Sequence, residues 1–231
     1  MNEHDIRNFL ISYLAQRFES EQPKFLKEVF LNNYECRADL IMVGKNLHGF
    51  EIKSEIDTLK RLVLQIPHYE NSFEKVTIVC ATKHAQKALA LIPNHFGLWI
   101  ISNNKIQIIR NAKKKEMNKE QLLTHLPVYE LKNLLSHMNL KKSGNRNQLI
   151  SRCLKQVNKS SVRDCVIHRL EQRAEERYIK KDKSSSIAYQ ACNLSQLSAN
   201  FFLQEINTVL PRKTAKNPTP HPLRLELDLV C

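Results

Sequence analysis

The chain has 231 residues, with 36 Lys and Arg against 23 Asp and Glu, a formal charge of +13, 42% hydrophobic residues and only 4 Gly. That composition supports a hydrophobic core and excludes collagen-like and glycine-linker chains. No apolar run approaches the roughly 18–20 residues of a membrane-spanning helix, and the start, MNEHDIRNFL, has early acids and no apolar stretch of the kind that marks a secretory signal. Six Cys, at 36, 80, 153, 165, 192 and 231, form no CxxC or other zinc-like pair. Reduced thiols in a cytoplasmic protein that does not enter the membrane are the expectation.

The charge is unevenly spread. Residues 1–110 carry 14 basic and 12 acidic side chains, residues 111–183 carry 18 and 8, and residues 184–231 carry 4 and 3. A basic block of this kind suits a polyanionic partner, most often nucleic acid, and equally suits a solvated helix face.

In chain order, Ile6, Phe9, Leu10, Tyr13 and Leu14 recur at helical spacing, and Pro23 marks a break. Phe25–Phe30, Cys36–Val43 and Leu47–Lys53 read as strands, the last two joined through Gly44-Lys45-Asn46 as a hairpin. A helix follows, capped by Asp57 and lined by Leu59, Leu62, Val63 and Ile66. Val76–Ala81 is a β-branched run and hence a buried strand, Lys83–Leu91 is helical, and Leu98–Ile101 with Lys105–Ile109 forms a closing hairpin. The order α, β, β, β, α, β, with further elements, predicts an α/β or α+β sandwich.

Beyond the charged break at Ala112–Glu116 the pattern becomes helical: Leu122–Met138 with Pro127 near a helix start, a turn at Lys141–Gly144, a helix over 146–157 capped by Asn145, and a charged helix over 162–181. Residues 183–186 read as a linker and 194–210 as helical. Residues 211–222 hold four Pro and read as extended, and LRLELDLV at 223–230 alternates as a half-buried strand does.

The chemistry concentrates in the central hairpin. Glu51 and Lys53 are two apart on one strand and so share a face, and the hairpin brings Asp39 beside them. Ile41, Val43, Phe50 and Ile52 alternate with this polar set, which predicts one apolar face and an opposite polar one. Two converging carboxylates suit Mg²⁺ or Mn²⁺, and a nearby lysine can hold phosphate or help deprotonate water. Isolated on an exposed strand, the same residues are ordinary solvated surface. No P-loop, HExxH or GxSxG elbow occurs.

RADL at 37–40, HGFEIKSEIDTLKRL at 48–62, and Gln65 with Tyr69 together resemble the PD-(D/E)XK nuclease superfamily, with Ala38 where its name implies Pro. The resemblance covers about residues 3–110. It implies a restriction-endonuclease-like αβββαβ core, with Asp39, Glu51, the Ile52 carbonyl and Glu28 as metal ligands, Lys53 as the catalytic lysine, and Gln65 and Tyr69 as a catalytic QxxxY element. It also implies Arg37 and Arg61 as phosphate contacts, with ion pairing as their alternative, and leaves His48 beside the site on an edge strand as a structural residue. Residues 122–157 are similar to a SAP motif, two short helices joined by a bend, in which Lys141, Lys142, Arg146 and Arg152 would face DNA phosphates.

The expected organisation is a nuclease-like domain over 1–111, a linker at 112–120, a SAP-like all-α arm over 121–158, a charged helical extension over 159–210 and a tail over 211–231. The expected function is a Mg²⁺-dependent deoxyribonuclease, an endonuclease-like hydrolase that holds duplex DNA through the arm. The alternative is a non-catalytic DNA-binding or adaptor protein on the same fold. The alternating tail is the candidate surface for self-association or a protein partner.

Overall fold

The computed structural model describes residues 1–31 and 35–184, with backbone alone for 178–184. The helix expected over 194–210, the Pro-containing stretch and the alternating end at 223–230 lie outside the described residues.

Helix α1 spans Glu3–Arg17. Asn2 caps it, its side chain accepting from the Asp5 N–H, and Glu3 and Asp5 complement the positive end of the helix dipole. Ile6, Leu10 and Leu14, each four apart, form its buried stripe. The strands follow as β1 (Lys24–Leu31), β2 (Cys36–Val43) and β3 (Leu47–Lys53), then α2 (Leu62–Ser72), β4 (Lys75–Ala81), α3 (Ala85–Leu91), β5 (Gly97–Ser102) and β6 (Lys105–Arg110). They form one six-stranded mixed sheet in the order β1-β2-β3-β4-β5-β6. The pairs β1–β2, β2–β3 and β5–β6 are antiparallel, whereas β3–β4 and β4–β5 are parallel, each crossing through a helix. The chain is thus α/β, with seven α-helices among the described residues.

Three local expectations need correcting. Strand β3 is central, not an edge, and every one of its residues is buried. The hairpin has two apolar faces, not one. Leu40, Met42, Phe50 and Ile52 pack under α1 with Val79, Trp99 and Ile101, whereas Ala38, Ile41, Val43 and Leu47 join the larger core beneath the other helices. Asp57 does not cap α2. Its carboxylate accepts from the Ser54 N–H and hydroxyl, closing a turn before the helix, and Val63 faces solvent.

Beyond the sheet come α4 (Lys119–Leu123), α5 (Val128–His137), α6 (Arg146–Gln156) and α7 (Lys159–Ser184). Asn118 and Asn145 cap α4 and α6 as reciprocal capping boxes with Gln121 and Gln148. These helices share one core with the sheet, since Leu122, Leu126, Leu131, Leu135, Leu149, Val162, Val166 and Leu170 belong to the same cluster as Leu26, Val43, Val76 and Leu98. Polar ties reinforce it. Arg163 donates to the Glu74 carboxylate at 3.0 Å and to the Lys45 carbonyl at 2.9 Å, and Arg177 donates to the Lys27 carbonyl at 2.7 Å. No described helix is long and apolar enough to cross a membrane.

Candidate functional site

Strands β2 and β3 pair only as far as Leu40–Phe50, and the next rung splays open. The gap is closed by side chains. The Tyr69 hydroxyl, reaching across from α2, accepts from the Asp39 N–H at 3.2 Å, lies 3.3 Å from the Phe50 carbonyl, and donates to Glu51 Oε2 at 2.5 Å. Asp39 Oδ2 accepts from the Ile52 N–H at 2.8 Å. Lys53 Nζ donates to Glu51 Oε1 at 2.5 Å and to Gln65 Oε1 at 3.1 Å. Asp39, Glu51, Lys53, Gln65 and Tyr69 are therefore brought together as the hairpin reading expects.

Electrostatics decides what the cluster can do. Glu51 is 1% exposed and Lys53 3% exposed, so both charges are out of water and depend on each other. Burial, and then the neighbouring Glu51, push the Asp39 carboxyl up to about 8. Burial first, then the carboxylates, hold Tyr69 well above its ordinary value, so it remains a donor. Both Glu51 oxygens and one Asp39 oxygen are committed to protein donors. A hard cation would have to displace Lys53 and break the Tyr69 bond, and no group of three His, Cys, Asp or Glu converges on a metal position among the described residues. Holding Mg²⁺ or Mn²⁺ on Asp39 and Glu51 would require these bonds to open.

The other residues divide. Arg37 and Arg61 line the mouth of the roughly 270 Å³ cavity over the cluster, with Arg37 also 3.9 Å from Glu28. Glu28 itself is not gathered in. It sits on β1 at φ 52°, and its carboxylate accepts from Arg7 at 2.7 Å, which holds it below the usual carboxylate range. His48 is buried, stacked on Phe50 and bonded to Thr77 Oγ1 at 2.9 Å, and burial drives it down to about 3.

On the arm, Lys141 and Lys142 are exposed. Arg146 turns inward and donates to the Leu126 carbonyl at 2.6 Å, and Arg152 donates to the Lys141 and Ser143 carbonyls at 2.6 and 3.1 Å. Residues 131–163 contain no Asp or Glu. Lys155, which sequence reasoning passed over, is exposed on the outer side of α6 in line with Asn147 and Ser151. The spacing of four along that helix is the signal that could have found it.

The family model for Bacteriophage P4 protein cII matches residues 1–198, taking in the hairpin, the bend and the long helix together. Protein cII of Enterobacteria phage P4 is 30% identical over 182 residues, covering 75% of this chain and 68% of that protein. The chain belongs to the bacteriophage P4 protein cII family. Among solved structures, the SPO1766 protein of unknown function from Silicibacter pomeroyi is 18% identical over 47% of this chain and 72% of that one, with a TM-score of 0.36.

P4 cII membership corrects the expectation drawn from RADL and HGFEIKSEIDTLKRL. The match runs over most of the chain, whereas the nuclease resemblance was strict only over 37–69. The chain is a P4 cII-family protein and not a member of a PD-(D/E)XK nuclease family. The assignments as hydrolase, endonuclease and Mg²⁺-dependent deoxyribonuclease fall with that resemblance. The internally satisfied cluster is a physical reason why residues of the right type and spacing need not make a nuclease.

Proposed function

We propose that this P4 cII-family chain is a non-catalytic DNA-binding protein of the cytoplasm. In this reading an αβββαβ core of the restriction-endonuclease kind carries a SAP-like helical arm that grips duplex DNA by its phosphates. One contrast carries the reading. The charges of the hairpin are buried and closed on one another, while Lys141 and Lys142 of the bend and Lys155 of α6 stand in water with no carboxylate nearby in sequence. Charges neutralised inside the fold have nothing left for a substrate. Unpaired surface lysines bind a polyanion by releasing its condensed counterions, which is a sequence-independent and salt-sensitive attraction. The core then acts as a rigid mount for the arm.

The test is fluorescence anisotropy of a labelled duplex with the full chain, run in EDTA and again in Mg²⁺ or Mn²⁺, followed by electrophoresis of the recovered DNA. The expected result is binding that weakens steeply between about 50 and 200 mM salt, equal in both buffers, with the DNA intact. Cleaved DNA in Mg²⁺, or no binding at the lowest salt, would overturn the reading.

A further inference from the structure

We propose that the groove between the Lys141–Gly144 bend and the outer face of α6 is the seat for the DNA phosphodiester backbone. Lys141, Asn147, Ser151 and Lys155 make the contacts, and Arg152 serves as a positioning residue that builds the seat without touching DNA. The proposal rests on the DNA-binding reading and specifies where, and with which residues, that binding occurs.

The groove is shallow and open, with a volume of about 600 Å³, and its lining contains three cations, several neutral hydrogen-bonding side chains and no carboxylate. That composition suits an anion whose oxygens only accept, such as a phosphate, and disfavours a cation or a basic peptide. Lys141 and Lys155 are exposed and have no ion-pair partner among the described residues. They flank the groove from the bend and from the last turn of the helix.

The start of α6 is also arranged for an acceptor. Within the capping box the Gln148 N–H donates to the Asn145 side chain and the Asn145 N–H donates to Gln148 Oε1. That leaves the N–H groups of Arg146 and Asn147 in the first turn without a helical acceptor. Gly144 holds φ 124°, and a Cβ there would lie 2.6 Å from Gln148 Oε1, so only glycine lets the bend close this tightly onto the helix.

Arg152 is already spent. Its Nη1 donates to the carbonyls of Lys141 and Ser143, so the guanidinium fixes the bend and points two carbonyl oxygens inward. With those acceptors taken up, the rim that remains carries ammonium and amide donors. Both bonds come from the one nitrogen Nη1, held in place by the rigid, planar guanidinium; a lysine there would keep the charge, but its flexible ammonium would not hold both carbonyls in the same geometry.

The experiment measures the dependence of duplex affinity on salt for the full chain and for Lys141→Ala, Lys155→Ala, Arg152→Lys and, as a control far from the groove, Lys87→Ala. Each of the two groove lysines should lower the slope of log affinity against log salt by about 1, and Lys87→Ala should leave it unchanged. Arg152→Lys should weaken binding about tenfold despite its unchanged charge, with a thermal midpoint within a few degrees of the parent. If the parent binds but the groove lysines leave the slope intact, or Arg152→Lys binds like the parent, the seat is elsewhere and this inference fails while the DNA-binding reading stands. If the parent does not bind, both fail.

Discussion

At the scale of single residues, the Tyr69 hydroxyl stands where a rung of the β2–β3 ladder would be, taking the Asp39 N–H and giving its proton to Glu51. Tyr69→Phe leaves a buried N–H and a buried carboxylate each short of a partner. The expected loss is about 1–3 kcal/mol, read as a lower urea midpoint at unchanged m-value, with duplex affinity unaltered. Asp39 sets a pH dependence. Its carboxyl is pushed from an ordinary 3.8 up to about 8 by burial and by Glu51. A group with a raised folded value holds its proton more tightly when folded. Its contribution to stability is therefore present below the unfolded value and is lost as pH rises through the folded one. Stability should decline between about pH 4 and 8 on account of this residue, and Asp39→Asn should flatten that decline in urea titrations taken across the window. An unchanged slope in the variant would assign the dependence to another group.

At the scale of elements, α5 and α7 are held together by a buried anion. Glu130 has a fully buried side chain, accepts from Arg169 at 3.0 Å and is also bound by Arg173. The two guanidiniums remain partly solvated at their outer edges, which lowers the cost of the arrangement, but the carboxylate cannot be removed without stranding them. Glu130→Gln should cost about 3 kcal/mol, measured by thermal or urea unfolding. It should move the near-ultraviolet signal of the native state little, because the surrounding leucines still define the packing. The acid-free stretch over 131–163 has the opposite character. Among its basic residues, Arg146, Arg152 and Arg163 turn to carbonyls or to Glu74, Lys159 pairs with Glu116, and Lys141, Lys142 and Lys155 are left outside.

At the scale of the whole molecule, sheet and helices form a single unit over Met1–Ser185. The helices beyond β6 cover the sheet face formed by Leu26, Ala38, Ile41 and Val43, and α7 crosses β1 through its ties to Lys27 and Lys24. A chain ended at Asn111 should therefore not retain the parent's fold. Stripped of the helical layer, it exposes those apolar residues to water at about 25 cal/mol per Å². The expected outcome is dye binding to exposed apolar surface and loss of a cooperative unfolding transition. A cooperative transition in the shortened chain would show that the sheet stands alone.

What the sequence determined by itself was local. Cys36–Val43 and Leu47–Lys53 are strands with the boundaries that the residues predict, and Asn145 caps α6, because alternation, turn residues and caps act over a few positions. Residue types were equally legible. Two acids and a lysine had to meet on one side of the hairpin, and they do. What only the tertiary structure decided was what those side chains face. Tyr69 closes on Asp39 from 30 residues away, Arg163 reaches Glu74 across 89, and Arg173 reaches Glu130 across 43. A charge has no partner written beside it, and whether it stays free for DNA or is consumed inside the fold depends on where distant segments are packed by the shared apolar core. The hairpin read as a chemical site because its residue types and spacing are local. It is closed because its donors come from α2 and from the splayed backbone, and no periodicity within the strands records either.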